Sequence, residues 1–344
     1  MQIKNAAATV AALAAMAAAP AYAHHAGAVG NASTSGPINT LSASTLPEGA
    51  FVAGVQFEQT NLDTLSDTVL EDAAVDAFLA AEDEHFHSVE TLRTIALTLG
   101  YGITDDLTVS LRVPFVARDN IREGHAEDLP PVTGEVHRLG DATGVGDITL
   151  LGQLRVLKDD GLELAALFGV EMPTGETGEH NAEDGELFDT EFQPGSDSWD
   201  FVFGAAATKR VGRWSFDASG LYTIAGDASN DVNLGDRFNY GLAATYRVIG
   251  MEAHEHAPGT HAHSDGNALD FVLELNGEWH AKQEEPGEID PNSGGHVLYV
   301  SPGARYTMGT VSAFASVGIP IAEHHNGLQD EPDIRFETGV ALKF

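Results

Sequence analysis

Apolar and polar residues alternate one by one through much of this chain, in short bursts at even spacing. In 107–115, Leu107, Val109, Leu111, Val113 and Phe115 fall on one side and Thr108, Ser110 and Arg112 on the other. In 238–248, Phe238, Tyr240, Leu242, Ala244, Tyr246 and Val248 oppose Asn239, Gly241, Thr245 and Arg247. In 269–279, Leu269, Phe271, Leu273, Leu275 and Trp279 oppose Asp270, Glu274, Asn276 and Glu278. The last stretch sets Ile334, Phe336, Thr338, Val340, Leu342 and Phe344 against Arg335, Glu337, Gly339, Ala341 and Lys343. A period of two is that of a β-strand with one apolar and one polar face. The pattern predicts about twelve strands, at 50–60, 89–101, 107–119, 144–157, 161–172, 198–209, 213–225, 236–249, 268–280, 295–307, 310–320 and 333–344. The stretch 310–320 alternates poorly and does not declare its faces.

The connections alternate as well. Short ones lie at 102–106, 158–161, 210–213 and 308–310, with the Asp and Gly residues of tight hairpins. Long acidic ones lie at 61–88, 120–143, 173–197, 226–235, 281–294 and 321–332. A strict short–long order means that the two ends of the hairpins differ. An outer-membrane β-barrel has this property, with tight periplasmic turns and longer outer loops, whereas a soluble sandwich has no need of it. The expected fold is therefore all-β: a transmembrane antiparallel barrel. Its even strand count brings both termini to the periplasmic side. One connection breaks the order: 250–267 is long but falls at the periplasmic end by parity.

The N-terminus agrees. Lys4 precedes an Ala-rich run from Ala6 to Ala19, and Pro20-Ala21-Tyr22-Ala23 supplies a small-residue cleavage site, so residues 1–23 are expected to be a secretory signal. Residues 24–48, rich in Ala, Ser, Thr, Gly and Asn, are expected to be a flexible lead-in, and 49–344 the barrel. There is no Cys, which excludes disulfides and lipid attachment through a thiol. The balance of 17 Lys+Arg against 52 Asp+Glu, a net of −35, excludes nucleic acid as a partner held by bulk charge.

In this frame Arg112, Arg155, Arg247, Glu274, Arg305, Arg335 and Glu337 point into the lumen. They are expected to be rings of mixed charge in a water-filled pore that set selectivity among small solutes. Phe115, Phe168, Phe203, Trp214, Tyr246 and other aromatic residues fall on the apolar faces, as girdles at the membrane interfaces require. Phe344 ends the closing strand and is the expected signal for the barrel-insertion machinery. The expected location is the Gram-negative outer membrane, with lipid and lipopolysaccharide as surroundings.

Several stretches also match a known pattern. Tyr101-Gly102-Ile103-Thr104-Asp105-Asp106-Leu107 joins the second and third strands, and Arg112-Val113-Pro114-Phe115 follows. Gly144-Val145-Gly146-Asp147-Ile148-Thr149-Leu150 opens a strand after a long loop. Val300-Ser301-Pro302-Gly303-Ala304-Arg305-Tyr306 precedes a strand that ends Gly318-Ile319-Pro320-Ile321. In this order and spacing they resemble the outer-membrane transporter-like barrels labelled as the MetA pathway of phenol degradation, over roughly residues 50–344. The resemblance implies an outer-membrane barrel of about twelve strands that passes or handles small molecules. The acidic loops and His-rich segments depart from the family pattern.

Other chemistry is open to two readings. His254, His256, His261 and His263 sit close together, beside Glu252, Glu255 and Asp265. Imidazoles in such a loop suit Zn, Ni or Cu, and the chain then handles metal; the alternative is a polar linker. Glu82-Asp83-Glu84-His85-Phe86-His87 and Glu323-His324-His325 are further sets of the same kind, and His24 with its α-amine is another. The acidic loops suit Ca or Mg, as bridges to lipopolysaccharide, or serve only as solvated surface. The sequence holds no nucleophile elbow, P-loop or H-E-x-x-H motif, and no Ser–His pairing stands out, so an enzyme in the barrel wall stands as a second alternative, after metal handling.

Overall fold

A computed structural model describes residues 36–81, 86–127, 130–250 and 267–344. In chain order its elements are β1 (Phe51–Asp63), α1 (Asp67–Ala80), β2 (Phe86–Ser88), β3 (Thr91–Thr104), β4 (Leu107–Glu127), β5 (Thr133–Val145), β6 (Ile148–Asp159) and β7 (Leu162–Met172). After a short 3-10 turn at Thr190–Phe192 come β8 (Asp200–Val211), β9 (Trp214–Ile224), β10 (Arg237–Ile249) and β11 (Asn267–His280). Then follow β12 (Glu284–Glu285), β13 (Glu288–Ile289), β14 (Gly295–Met308), β15 (Val311–His325) and β16 (Glu331–Lys343).

Twelve of the strands form one closed antiparallel ring, in the order β1, β3, β4, β6, β7, β8, β9, β10, β11, β14, β15, β16 and back to β1. Closure leaves no unpaired sheet edge, which in hydrocarbon would cost several kcal/mol per unsatisfied group, by order of magnitude. The terminal strands make the last seam. Val52 lies opposite Lys343, and the backbones of Phe51 and Phe344 exchange hydrogen bonds at 3.3 and 2.8 Å. No helix among the described residues is long and apolar enough to cross a membrane.

Alternation sorts the wall as the pattern predicted. Phe203, Leu242, Phe271, Leu273 and Val340 are exposed on the outer face, where lipid covers them, while Thr94, Asp217, Glu274, Arg305 and Glu337 are buried on the inner face. The long connection between β10 and β11 does leave from the short-turn end of the ring. The strand count stands and 251–266 is a true insertion there, although those residues, including His254, His256, His261 and His263, lie outside the described ones.

Two outer connections hold more structure than loops. β4 runs on past the ring to Glu127 and pairs there with β5. Helix α1 packs on that hairpin. Ser66 caps it by accepting from the Val69 N–H, Asp67 sits in its first turn, and Leu70, Ala74 and Ala77 line its buried face. Arg122 of β4 ties the assembly together, bonding Asp67, the Leu65 carbonyl and Ser88 Oγ. A Cβ at Gly124 would lie 2.4 Å from the Leu70 carbonyl, so the helix sits against bare backbone.

Candidate functional site

The lumen is where fold and function meet, and it is not an open water-filled pore. Residues 36–48, expected to be a free lead-in, run inside the ring from the β11–β14 wall to the periplasmic turn between β3 and β4. They have no regular structure, so neighbouring side chains satisfy their backbone. The Glu274 carboxylate accepts the N–H groups of Ile38, Asn39 and Thr40 at 2.9, 2.9 and 3.3 Å. Arg305 donates to the Pro37 carbonyl at 2.8 Å. Farther on, Ser219, Thr208 and Thr108 accept the N–H groups of Leu41, Ala43 and Leu46. Gln153 donates to the carbonyls of Ser42 and Ser44. Ser44 Oγ donates to Glu163 at 2.8 Å.

Packing adds to this polar frame. Leu41 and Ala43 are buried with Leu151, Ala165, Leu167, Val202, Ala206 and Leu221, an apolar patch on the inner wall of β6–β9. Two glycines clear the path. A Cβ at Gly241 would stand 2.5 Å from Thr40 Oγ1, and one at Gly303 would stand 2.6 Å from the Ile38 side chain. The segment is thus a strap that follows the inner wall from β14 round to β4 and fits a groove built for it.

The charges expected to form free rings are placed inward but are committed to partners. Glu274 and Arg305 hold the strap. Arg155 sits at the periplasmic rim and forks onto Asp106 at 2.7 and 2.9 Å. Arg247 forks onto Asp270 at 2.8 and 2.9 Å. Arg335 bonds Glu278, with one contact at 3.0 Å, and its guanidinium lies 4.2 Å from the Tyr299 ring centre. Glu337 accepts from Ser316 Oγ at 3.0 Å. Arg112 is buried on the inner face of β4. The physical reason is the strap itself: it displaces water, and a buried charge then requires a partner.

Above the strap two spaces remain. One is a small mid-lumen cavity, lined by Ile38 and Asn39 and walled by β1, β9, β10, β11 and β16. The other is an outer vestibule under the loops, lined by His87, Glu191, Arg237, His280, Asp290 and Asp330 among others. Its rim is pinned by Asp330, which accepts from the N–H groups of Leu65 and Val89 and from Ser88 Oγ. Arg237 bonds Asp200 at 2.8 Å at its floor. His87 stands 3.6 Å from both Asp189 and Glu191. Burial, reinforced by Asp290, Asp189 and Glu285, pushes the Glu191 carboxyl up to about 8 against the pull of its bond from Gln283.

Of the metal-ligand candidates that are described, His325 lies 3.7 Å from Glu323 and His324 faces His296 across β14 and β15. Among the described residues no three His, Asp or Glu side chains converge on a metal-sized site. Sequence reading missed the strap because its residues are small and polar on average. The signals were Ile38 and Leu41, isolated apolar residues in a polar stretch, and glycines such as Gly241 and Gly303 on inner faces.

A family model described as "Putative MetA-pathway of phenol degradation" matches residues 72–323. The structure is similar to the COG4313 outer membrane channel of Pseudomonas putida F1, with TM-score 0.52 and 19% identity over 88% of this chain and 97% of that one. It is also similar to the CymD monoaromatic hydrocarbon channel, with TM-score 0.44 and 10% identity over 87% and 89%. LpxR from Salmonella typhimurium gives TM-score 0.42 and 11% identity over 85% and 99%. No curated protein matches this sequence.

Proposed function

The chain belongs to the MetA-pathway family of phenol degradation and is an outer-membrane β-barrel; from that premise we propose that it is a gated conduit for small solutes. Solutes enter the outer vestibule, reach the mid-lumen chamber and pass to the periplasm when the strap of residues 36–46 leaves its groove. The observation that carries this reading is the strap, held by Glu274 through three backbone N–H groups. A wall built only to close a barrel has no need of a segment without regular structure laid along its inner face beside a lumenal cavity. Such a segment is held by side-chain contacts alone and can be released without breaking the ring.

The reading is a conduit and not a catalyst. Its support is that the inward charges described above tie the strap and one another, and that the first similar structure is a channel. We carry over no substrate from that likeness, which at 19% identity concerns the fold. Metal binding by His254, His256, His261 and His263 belongs to the same proposal as an accessory property of the periplasmic insertion. Nickel retention by the purified barrel should be lost on deletion of 251–266.

Liposome swelling tests the gated conduit. Vesicles carrying the full chain should swell slowly in small neutral sugars, and those carrying Glu274→Ala several-fold faster. Equal rates, with both barrels folded, would contradict a gate at the strap.

A further inference from the structure

The mid-lumen chamber carries a charge pattern that the conduit reading leaves unused. Glu58 of β1 and Glu337 of β16 are directly opposed across the seam, both on the inner face. Like charges so placed repel. The nearest cation, Arg335, is divided between Glu278 and Glu58. It forks onto Glu278, bonds Tyr299 Oη and Thr60 Oγ1 at 3.1 Å each, and stands 3.9 Å from Glu58. Among the described residues no Lys, Arg or His lies within ion-pair distance of Glu337; Ser316 Oγ donates to it, and a further hydrogen bond joins it to Glu58.

A second, independent observation points the same way. Asn276 is more than nine-tenths buried, and its Oδ1 has no hydrogen-bond partner; the Asn39 Oδ1 of the strap also has none. Both residues line this chamber. A buried acceptor left unpaired is costly, so two in one chamber are orphaned until something brings donors to them. The chamber therefore offers carboxylates and amide oxygens, with Ile38 and Leu221 as apolar wall, and the cation in its lining, Arg335, is held by Glu278 and Glu58.

We propose that this chamber is a binding subsite for a small organic cation bearing N–H donors, of the primary ammonium class. Its N–H groups bond Asn39 Oδ1, Asn276 Oδ1 and the Glu58–Glu337 pair, and its short hydrocarbon body lies against Ile38 and Leu221. A bare metal ion fits less well, because no three carboxylate or imidazole ligands converge here among the described residues. The assignment rests on the conduit reading and names the solute class that pauses above the strap. Asn39 belongs to both parts: its N–H is held by Glu274 and its side chain meets the occupant, so an occupied chamber is in contact with the strap.

The test is calorimetric titration of the full-length barrel in detergent with n-butylammonium, n-butyrate, potassium and magnesium in turn. Saturable binding of n-butylammonium is expected, with none of n-butyrate. Glu58→Gln, Glu337→Gln and Asn276→Leu should each weaken it about tenfold or more, the scale of one charged hydrogen bond. Asp184→Asn, in an exposed outer loop, should leave it unchanged. Heat-modifiable gel mobility identifies any variant that fails to fold, and the three substitutions stand in for one another. The proposal is overturned if n-butylammonium does not bind, if the three variants bind it as the parent does, or if potassium or magnesium binds at least as tightly. Conductance is read separately: a barrel that opens on strap removal but binds no ammonium refutes only the subsite. One that binds ammonium but never conducts refutes only the conduit.

Discussion

Glu274 is the residue on which the closed state turns. Its carboxylate sits on the inner face of β11 and takes three N–H groups of one passing segment, an arrangement that stabilises a charge away from water. Charged hydrogen bonds of this kind contribute about 1.5–3 kcal/mol each. Replacing Glu274 by Ala should therefore free the strap rather than unfold the ring, since the freed N–H groups can turn to water. Limited proteolysis should then cut within 36–48 while heat-modifiable gel mobility stays that of a folded barrel. Gly303→Leu should do the same by occupying the space of Ile38. At the vestibule Glu191 gives a pH dependence of known sign. Its carboxyl is raised to about 8 in the folded protein, so the folded state holds the proton more tightly than the unfolded one. Its contribution to stability is full below the ordinary carboxylate range and is lost as pH rises through about 8. Hydrogen-exchange protection at 189–193, corrected for the intrinsic rate, should fall as pH rises through about 8, and Glu191→Gln should flatten that response.

At the scale of elements, the closing hairpin was the most legible part of the sequence. Phe336, Val340 and Leu342 face lipid and Arg335 and Glu337 face the lumen because side chains alternate along the strand from Ile334 onward, and one slip would invert every residue. Phe344 lies beside Phe51, ring centres 5.9 Å apart, so the last residue finishes the seam. What was not legible has a physical reason too. Helix α1 presents only Leu70, Ala74 and Ala77 to its support, and its Asp and Ala residues gave the look of an acidic loop. The strap has no period at all, being held by groups more than a hundred residues away in sequence, such as Glu274 and Thr208. Its place in the lumen follows from contacts that no local pattern records. The cap of α1 offers a modest check. Ser66→Ala should weaken the helix by about 0.5–2 kcal/mol, read as faster hydrogen exchange in 67–80 with the ring unaffected.

The whole molecule combines a rigid ring with a removable strap. The ring owes its shape to backbone pairing around twelve strands and to an apolar outer face on which a central Arg, as in Leu273→Arg, should cost about 2–4 kcal/mol in refolding titrations. The strap owes its place to Glu274, Arg305 and the patch around Leu41, none of which contributes to ring closure. Two machines in one chain can thus have separate stabilities, which is what a conduit that stays shut in the membrane requires. The most direct measurement is planar-bilayer conductance of the full chain and of a chain lacking residues 36–46, both refolded and shown to be heat-modifiable. The strap account predicts a closed or briefly flickering full-length protein and a steady, several-fold larger conductance for the deletion. Equal conductance in the two would contradict it.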